Sequence, residues 1–287
     1  MHVIIIGSGP AGVSAALYAR RGAANVTVIT KESGALAAAE WIENYYGFAE
    51  PISGAELQRR GIAGAQRLGV RFETDEAMAI LPVDDGHGFR VEGVQKDYNG
   101  DAVILAAGVP RKTLSIQGLR EFEGRGVSFC AICDAFFYRG KRVAVIGAGD
   151  YALHEAEILR PHVEHLTILT NGEKTHVMVP DGTTVEQRPL ARVEGTRRVE
   201  RIVFDDGAQM AVDGIFMAVG TAGSSELARK LGVLLNNDKI IVGAQMETNV
   251  LGVYAAGDCT GGLLQIAKAV YEGAVAGLSA VRDLRER

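Results

Sequence analysis

Cys130-Ala131-Ile132-Cys133-Asp134 is the segment of this 287-residue sequence with the most chemistry in the fewest residues. Two thiols separated by two residues can close into a disulfide across one turn, and such pairs often contain a cysteine of lowered pKa. They can therefore accept electron pairs and pass them on. A carboxylate beside a thiol is useful for moving protons, which makes Asp134 the third candidate of this group. Two other readings stay open: half a zinc site, whose further ligands Cys259 and the scattered histidines do not supply at metal-type spacing, and a pair of buried structural thiols. No metal is expected, and Cys259 reads as core packing.

A second constellation is built from glycine. Gly7-Ser8-Gly9-Pro10-Ala11-Gly12 follows the apolar run 3–6 and precedes the Ala-rich stretch 13–21. A Gly-x-Gly-x-x-Gly turn between a strand and a helix lets backbone N–H groups approach a dinucleotide pyrophosphate at the positive end of the helix. Residues 26–30 supply the next strand. The acid expected at its end is displaced, since Thr30 stands there and Glu32, the candidate ribose ligand, follows two residues later. The design recurs with strand 142–146, the turn Gly147-Ala148-Gly149-Asp150-Tyr151-Ala152, helix 151–160 and strand 166–169. Gly257-Asp258 follows the apolar run 253–255. Its carboxylate could accept hydrogen bonds from a polyol such as the ribityl chain of a flavin, the alternative being an ordinary Asp helix cap.

The elements that must position these groups follow from composition and patterning. There are 36 glycines, about one residue in eight, spread between apolar strands as tight strand-to-helix turns require. Apolar residues make up 47% and charged residues 23%, the balance of a soluble globular protein. A net charge of −5 offers no broad positive field, so nucleic acid is not an expected partner. No apolar run reaches the roughly 18 residues of a membrane span. Three cysteines are too few for a secreted disulfide framework, and with no leader pattern at the start this points to a reducing cytoplasm.

Strand 102–105 ends at Ala106-Ala107-Gly108, and 109–126 reads as a connector. Beyond the second glycine unit, runs 198–204, 209–212 and 215–219 alternate with turns such as Asp205-Asp206-Gly207 and read as a meander; 240–242 is a further strand, and 263–282 a packed final helix. The expected fold is α/β, with two Rossmann-like three-layer domains and the second inserted into the first. Residues 1–112 and 241–287 would form a discontinuous first domain, and 113–240 an inserted second domain carrying the C-x-x-C.

In Gly7 to Gly12, Ile42-Glu43-Asn44-Tyr45, Ala106-Ala107-Gly108, 130–134, 147–152 and Gly257-Asp258, the chain resembles the low-molecular-weight thioredoxin reductases over nearly its whole length. That resemblance implies that the discontinuous first domain, 1–112 with 241–287, is FAD-binding and that 113–240 is a degenerate nicotinamide-type domain, with Gly7, Gly9, Pro10, Ala11, Gly12 and Glu32 around the adenosine and pyrophosphate part of FAD. Leu36, Asn44 and Gly108 would also lie on the cofactor, Asp258 beside Gly257 on the ribityl chain, and Gln265, Ile266 and Ala267 near the ring. It further implies that Cys133 receives electrons from the flavin, Cys130 attacks a protein disulfide, and Asp134 moves the proton. The implied partner is thioredoxin, and the implied assembly a homodimer.

The departure lies in the second domain. Members of the family ordinarily carry His-Arg-Arg after its second strand, and an NADPH phosphate needs such cations. Here that place reads Leu169-Thr170-Asn171-Gly172-Glu173-Lys174, 174–188 lacks the composition of a crossover helix, and Leu264 stands where an arginine is usual. The pattern is similar to the ferredoxin-dependent flavin thioredoxin reductases, so the expected donor is ferredoxin or flavodoxin instead of NADPH. An acidic donor needs a basic patch, for which Arg139, Lys141, Arg142, Arg197, Arg198 and Arg201 are candidates. The competing readings are a dithiol oxidase that uses oxygen, an ordinary NAD(P)H-dependent thioredoxin reductase, and a redox-sensing protein that keeps FAD structurally. Trp41, Tyr45, Tyr46 and Phe48 read as core packing or a flavin shield.

Overall fold

In the computed structural model, which describes residues 1–31, 34–83, 88–108, 114–175, 178–220 and 223–287, the short apolar runs become parallel strands and the glycine turns their exits. In chain order the elements are β1 (His2–Ile6), α1 (Pro10–Arg21), β2 (Asn25–Thr30), α2 (Gly54–Arg67), β3 (Arg71–Thr74), β4 (Ala77–Pro82), β5 (Phe89–Gly93), β6 (Asp97–Gly100) and β7 (Ala102–Leu105). There follow β8 (Val127–Ser128), α3 (Ala131–Asp134), β9 (Arg142–Ile146), α4 (Asp150–Leu159), β10 (His165–Leu169), β11 (Thr183–Glu186), β12 (Leu190–Gly195), β13 (Val199–Phe204), β14 (Gln209–Ala211) and β15 (Gly214–Met217). The chain closes with α5 (Ser224–Lys230), β16 (Leu235–Asn236), β17 (Lys239–Ile240), β18 (Val253–Ala255) and α6 (Ile266–Glu286). No helix among the described residues is long and apolar enough to cross a membrane.

The chain divides into two units, Met1–Val109 with Gly223–Arg287, and Pro110–Ala222. In the first, a parallel sheet runs in the order β18-β7-β1-β2-β3. Its central strands are buried on both faces, which is why they read as unbroken Val, Ile and Leu runs without alternation. Helix α6 packs along α1 at very short range: a Cβ on Gly273 would lie 2.1 Å from the Ala11 carbonyl oxygen, and one on Gly277 2.4 Å from that of Ala15. An antiparallel sheet β4-β5-β6 completes this unit together with the β16-β17 ribbon. From composition and patterning the chain is expected to return to this unit at 241. Residues 223–240 belong with it as well, because α5 packs against β4 and β17 and Lys230 Nζ donates to the Met78 carbonyl at 3.0 Å.

In the second unit a parallel sheet runs β11-β10-β9-β15-β8, with an antiparallel β12-β13-β14 sheet beside it in sequence. The expected meander therefore holds only for β13 and β14. The run 215–219, expected as its third strand, instead supplies β15, which pairs in parallel with β9, with Ile215 opposite Ala144 and Phe216 opposite Val145. Gly214, Ile215 and Phe216 are all buried, the pattern of a strand covered on both faces and not of a half-exposed hairpin. The two glycine turns are the same device used twice. Gly7 N–H donates to Ile29 O at 2.8 Å and Gly147 N–H to Leu169 O at 3.0 Å, so each turn is pinned to the strand beside it.

Candidate redox site and cofactor cradle

Because β18, β7 and β1 are neighbours and parallel, the turns that leave them come out at one edge of the first sheet: Gly257-Asp258, Ala106 to Gly108, and Gly7 to Gly12. That edge, at the carboxyl ends of the strands, is where open α/β sheets hold their ligands. Gly7 (φ +108°) and Gly12 are there to let the backbone close up, since a Cβ on Gly12 would lie 1.9 Å from the Gly7 carbonyl oxygen. Gly9 is different. A Cβ there would meet nothing within 4 Å, and α1 starts behind it with Pro10, no capping side chain and no acid in its first turn. The start of α1 is thus an open cradle of positive potential that the protein does not fill with groups of its own.

Around Gly257-Asp258 the chain has built a second support. Glu272, nearly buried, accepts the Gly257 N–H at 2.8 Å and the Thr260 hydroxyl at 2.9 Å, and pairs with Lys268 at 2.9 Å. Lys268 Nζ in turn donates to Gly257 O at 2.7 Å, and Lys239 Nζ to Asp258 O at 3.1 Å. These bonds hold the backbone of the turn, while the Asp258 carboxylate, half-buried, receives no hydrogen bond among the described residues. Asn44 Nδ2 donates to Gln265 Oε1 at 3.1 Å, which brings together two positions 221 residues apart in the chain. Ile266 and Ala267 open α6 directly after them; the helix begins at Ile266 and not at 263, leaving Leu263 and Leu264 exposed. Leu36 lies in a short 3₁₀ turn, Ala35–Ala38, against which Gly54 packs. Glu32 lies outside the described residues. Trp41 and Tyr46 are strongly exposed and Phe48 partly so, which corrects the core-packing expectation for them.

In the second unit Cys130 and Cys133 are joined as a disulfide, S–S 2.04 Å. Cys133 is exposed and Cys130 buried. The turn is held by polar groups that close on it: Cys133 N–H donates to Cys130 Sγ at 3.2 Å, Cys130 N–H to Ser128 Oγ at 3.1 Å, and the Ser128 hydroxyl to Asp134 Oδ2 at 2.7 Å. Ser128 therefore ties the candidate proton carrier to the backbone of one cysteine. Burial, reinforced by the Asp134 charge, pushes the Tyr138 phenol up from its ordinary value.

Residues 1–273 match the family described as pyridine nucleotide-disulphide oxidoreductase. The chain belongs to that family. It is 32% identical over 306 residues to a thioredoxin reductase of Listeria monocytogenes, spanning 99% of this chain and 94% of the relative. Among solved structures, an atypical thioredoxin reductase from Desulfovibrio vulgaris Hildenborough matches with a TM-score of 0.93 and 38% identity over 99% of this chain and 98% of the other. A ferredoxin-flavin thioredoxin reductase from Clostridium acetobutylicum matches with a TM-score of 0.75 and 33% identity over 100% and 98%. This pyridine nucleotide-disulphide oxidoreductase is thus an enzyme of the flavin-dependent disulfide type, with thioredoxin reductases as its relatives.

The first unit of the oxidoreductase fits a flavin dinucleotide. The open face at Gly9, the uncapped start of α1, and the Asp258 carboxylate, which receives no hydrogen bond among the described residues, are the anion and polyol acceptor sites such a group needs. Several residues that hold these turns give little signal in the sequence: Lys268 and Glu272 behind Gly257, and Ser128 and Glu155 around the disulfide. The available signal was a charge on an otherwise apolar helical stripe, as Glu155 is among Tyr151, Ala152, Ala156 and Leu159.

Cys259 behaves as expected, fully buried between β18 and α6, with burial pushing its thiol up to about 11. At pH 8 about one molecule in a thousand would carry that thiolate. Native oxidised protein should therefore take up no iodoacetamide, dithiol-reduced native protein two equivalents, and reduced, denatured protein three. Labelling of the native oxidised form, read by mass, would contradict this assignment.

Proposed function

We propose that this oxidoreductase is an FAD-dependent thioredoxin reductase that reduces the disulfide of a thioredoxin-like protein through Cys130 and Cys133, with electrons from a ferredoxin or flavodoxin and not from NADPH. The observation that carries the donor assignment is the exit of β10. Asn171 (φ +50°) and Gly172 (φ +82°) turn the chain tightly back, Gly172 N–H donates to Gln187 O at 2.8 Å, and Leu190 N–H donates to Asn171 Oδ1 at 2.7 Å. The turn is thereby bonded to the next strands. No helix intervenes between β10 and β11 among the described residues.

Arg188, one residue past the Gln187 carbonyl that bonds this turn, is already engaged. It pairs with Glu186 at 2.5 Å and Asp206 at 3.2 Å and stacks 4.2 Å over the Phe204 ring. Arg188 is thus not a free cation fork for a ribose phosphate at this turn. At α4 a Cβ on Gly149 would meet only the Gly220 carbonyl oxygen, at 4.0 Å, but Asp150 puts a carboxylate into the first turn, where it opposes a pyrophosphate.

FAD, when bound, supplies a two-electron carrier that can also be filled one electron at a time, which suits an iron–sulfur donor. Of the two sulfurs Cys133 is the exposed one and takes the electrons; Cys130, released as the bond opens, serves the protein disulfide. Ser128 holds the Asp134 carboxylate in place to carry the proton. Support for a protein substrate comes from Phe136 and Phe137, 65% and 66% exposed directly after the C-x-x-C, with the Arg139 guanidinium 4.9 Å over the Phe136 ring. Such an exposed aromatic pair marks a docking surface. Of the basic candidates, Arg142 is paired with Asp213 and Arg201 with Glu194, so Arg139, Lys141, Arg197 and Arg198 are left to attract an acidic donor.

The test is anaerobic. FAD-loaded protein is mixed separately with NADPH, NADH and reduced ferredoxin while the visible flavin absorbance is followed. Reduced ferredoxin should bleach it and the pyridine nucleotides should not; rapid bleaching by NADPH would overturn the proposal.

A further inference from the structure

Helix α4 turns Tyr151, Ala152, Glu155, Ala156 and Leu159 toward the interior of the second unit, and one member of that stripe is a carboxylic acid. Glu155 is 1% exposed. An acid is buried to this degree at substantial cost unless hydrogen bonds compensate it. Its Oε2 accepts the Ala131 N–H at 2.8 Å, and Ala131 is the residue that follows Cys130. The amides of the C-x-x-C turn are thus divided: Cys133 N–H goes to the Cys130 sulfur, Cys130 N–H to the Ser128 hydroxyl, and Ala131 N–H to a buried carboxylate.

We propose that Glu155 is a positioning residue that sets the reduction potential of the Cys130–Cys133 couple. Reduction breaks the Sγ–Sγ bond, adds two electrons, and leaves two sulfurs that either take protons from solvent or stay as thiolates. A thiolate on Cys130 has the Cys133 N–H as its amide donor among the described residues, and a carboxylate is held one residue along the chain on the Ala131 N–H. Like charges at short range in a buried setting disfavour each other. The reduced form is therefore less stable relative to the disulfide than it would be beside a neutral side chain, and a couple whose reduced form is destabilised is the stronger reductant. In the forward reaction the same two electrons pass to the target disulfide, which becomes a dithiol while Cys130 and Cys133 re-form their bond. The inference rests on reading this pair as the working redox couple.

The test uses the FAD-loaded full chain. Wild type, Glu155→Gln and Glu155→Leu are equilibrated anaerobically at pH 7 in graded mixtures of reduced and oxidised dithiothreitol, then alkylated and weighed to give the dithiol fraction. Gln keeps an acceptor for the Ala131 N–H and removes the charge. Leu fills the same volume with neither. Both variants should shift toward the dithiol, with an equilibrium constant raised about tenfold, equivalent to about 30 mV. An unchanged midpoint in Glu155→Gln, or a shift toward the disulfide, overturns the proposal and leaves Glu155 a structural group. If the wild-type disulfide resists reduction at every ratio, it is the redox reading of the pair that fails, a separate outcome from an unshifted midpoint.

Discussion

Cys130→Ser and Cys133→Ser should each lower thioredoxin reduction by at least about 10³-fold, the scale on which loss of a covalent-catalysis residue is felt. Each should retain a full complement of FAD. The two expectations belong together because the proposed cradle, at Gly9, Asp258 and the starts of α1 and α6, lies in the first unit, whereas the disulfide sits in the second. Neither serine can form a disulfide with the remaining cysteine, so the electron pair has no place to rest on its way out. Steady-state rates with the flavin-to-protein ratio measured on the same samples check both halves. Turnover within tenfold of wild type in either variant would mean that electrons leave by another route, and loss of flavin would mean that the cysteines support the cofactor's unit as well.

The glycine turn of the first unit yields the other large effect, and it separates two kinds of glycine. Gly12→Ala forces a Cβ to within 1.9 Å of the Gly7 carbonyl oxygen, at a place where backbone on both sides is pinned by the sheet and by α6. That overlap cannot be relieved by a side-chain rotation, and the variant should lose about 3 kcal/mol or more of stability, or fail to fold. Gly9→Ala places its methyl in open space. The flavin-free protein should keep its melting temperature, while FAD affinity falls by at least about tenfold, or 1.4 kcal/mol, because the methyl stands where the pyrophosphate must approach. Thermal melts of both apo-proteins and FAD titrations distinguish the cases. Equal stability losses at the two positions would show that Gly9 serves packing and that the cradle has been misread.

Much of this arrangement could be read without coordinates. Strands buried on both faces of a parallel sheet leave continuous apolar runs, and β1, β7 and β9 are of that kind; the glycines after them mark the exits. The C-x-x-C and Asp258 declared themselves by residue type. What stayed hidden had weak local signals. Strand β6 is Asp-Tyr-Asn-Gly, in which Tyr98 alone faces the interior, and only pairing with β5 makes it a strand. The apolar run 215–219 is too short for its period to tell a parallel strand such as β15 from a hairpin strand of a meander. The return of the chain at 223 depends on where α5 finds a partner, which is a tertiary matter. Aromatic residues at 41–48 suggest a core by composition, yet Trp41 and Tyr46 face solvent. Glu155 and Ser128 were missed for a related reason: their importance lies in which backbone amides they meet, and that is set by the packing of α4 on α3.

The most direct trial of the central claim is a complete turnover assay. Oxidised thioredoxin, the FAD-loaded enzyme and one donor at a time are combined without oxygen, and free thiols on thioredoxin are counted against donor consumed. With reduced ferredoxin the account requires two electrons, hence two ferredoxins of the one-electron type, for each thioredoxin disulfide opened, and with NADPH no thiols above the enzyme-free control. Stoichiometric thioredoxin reduction by NADPH alone would contradict it.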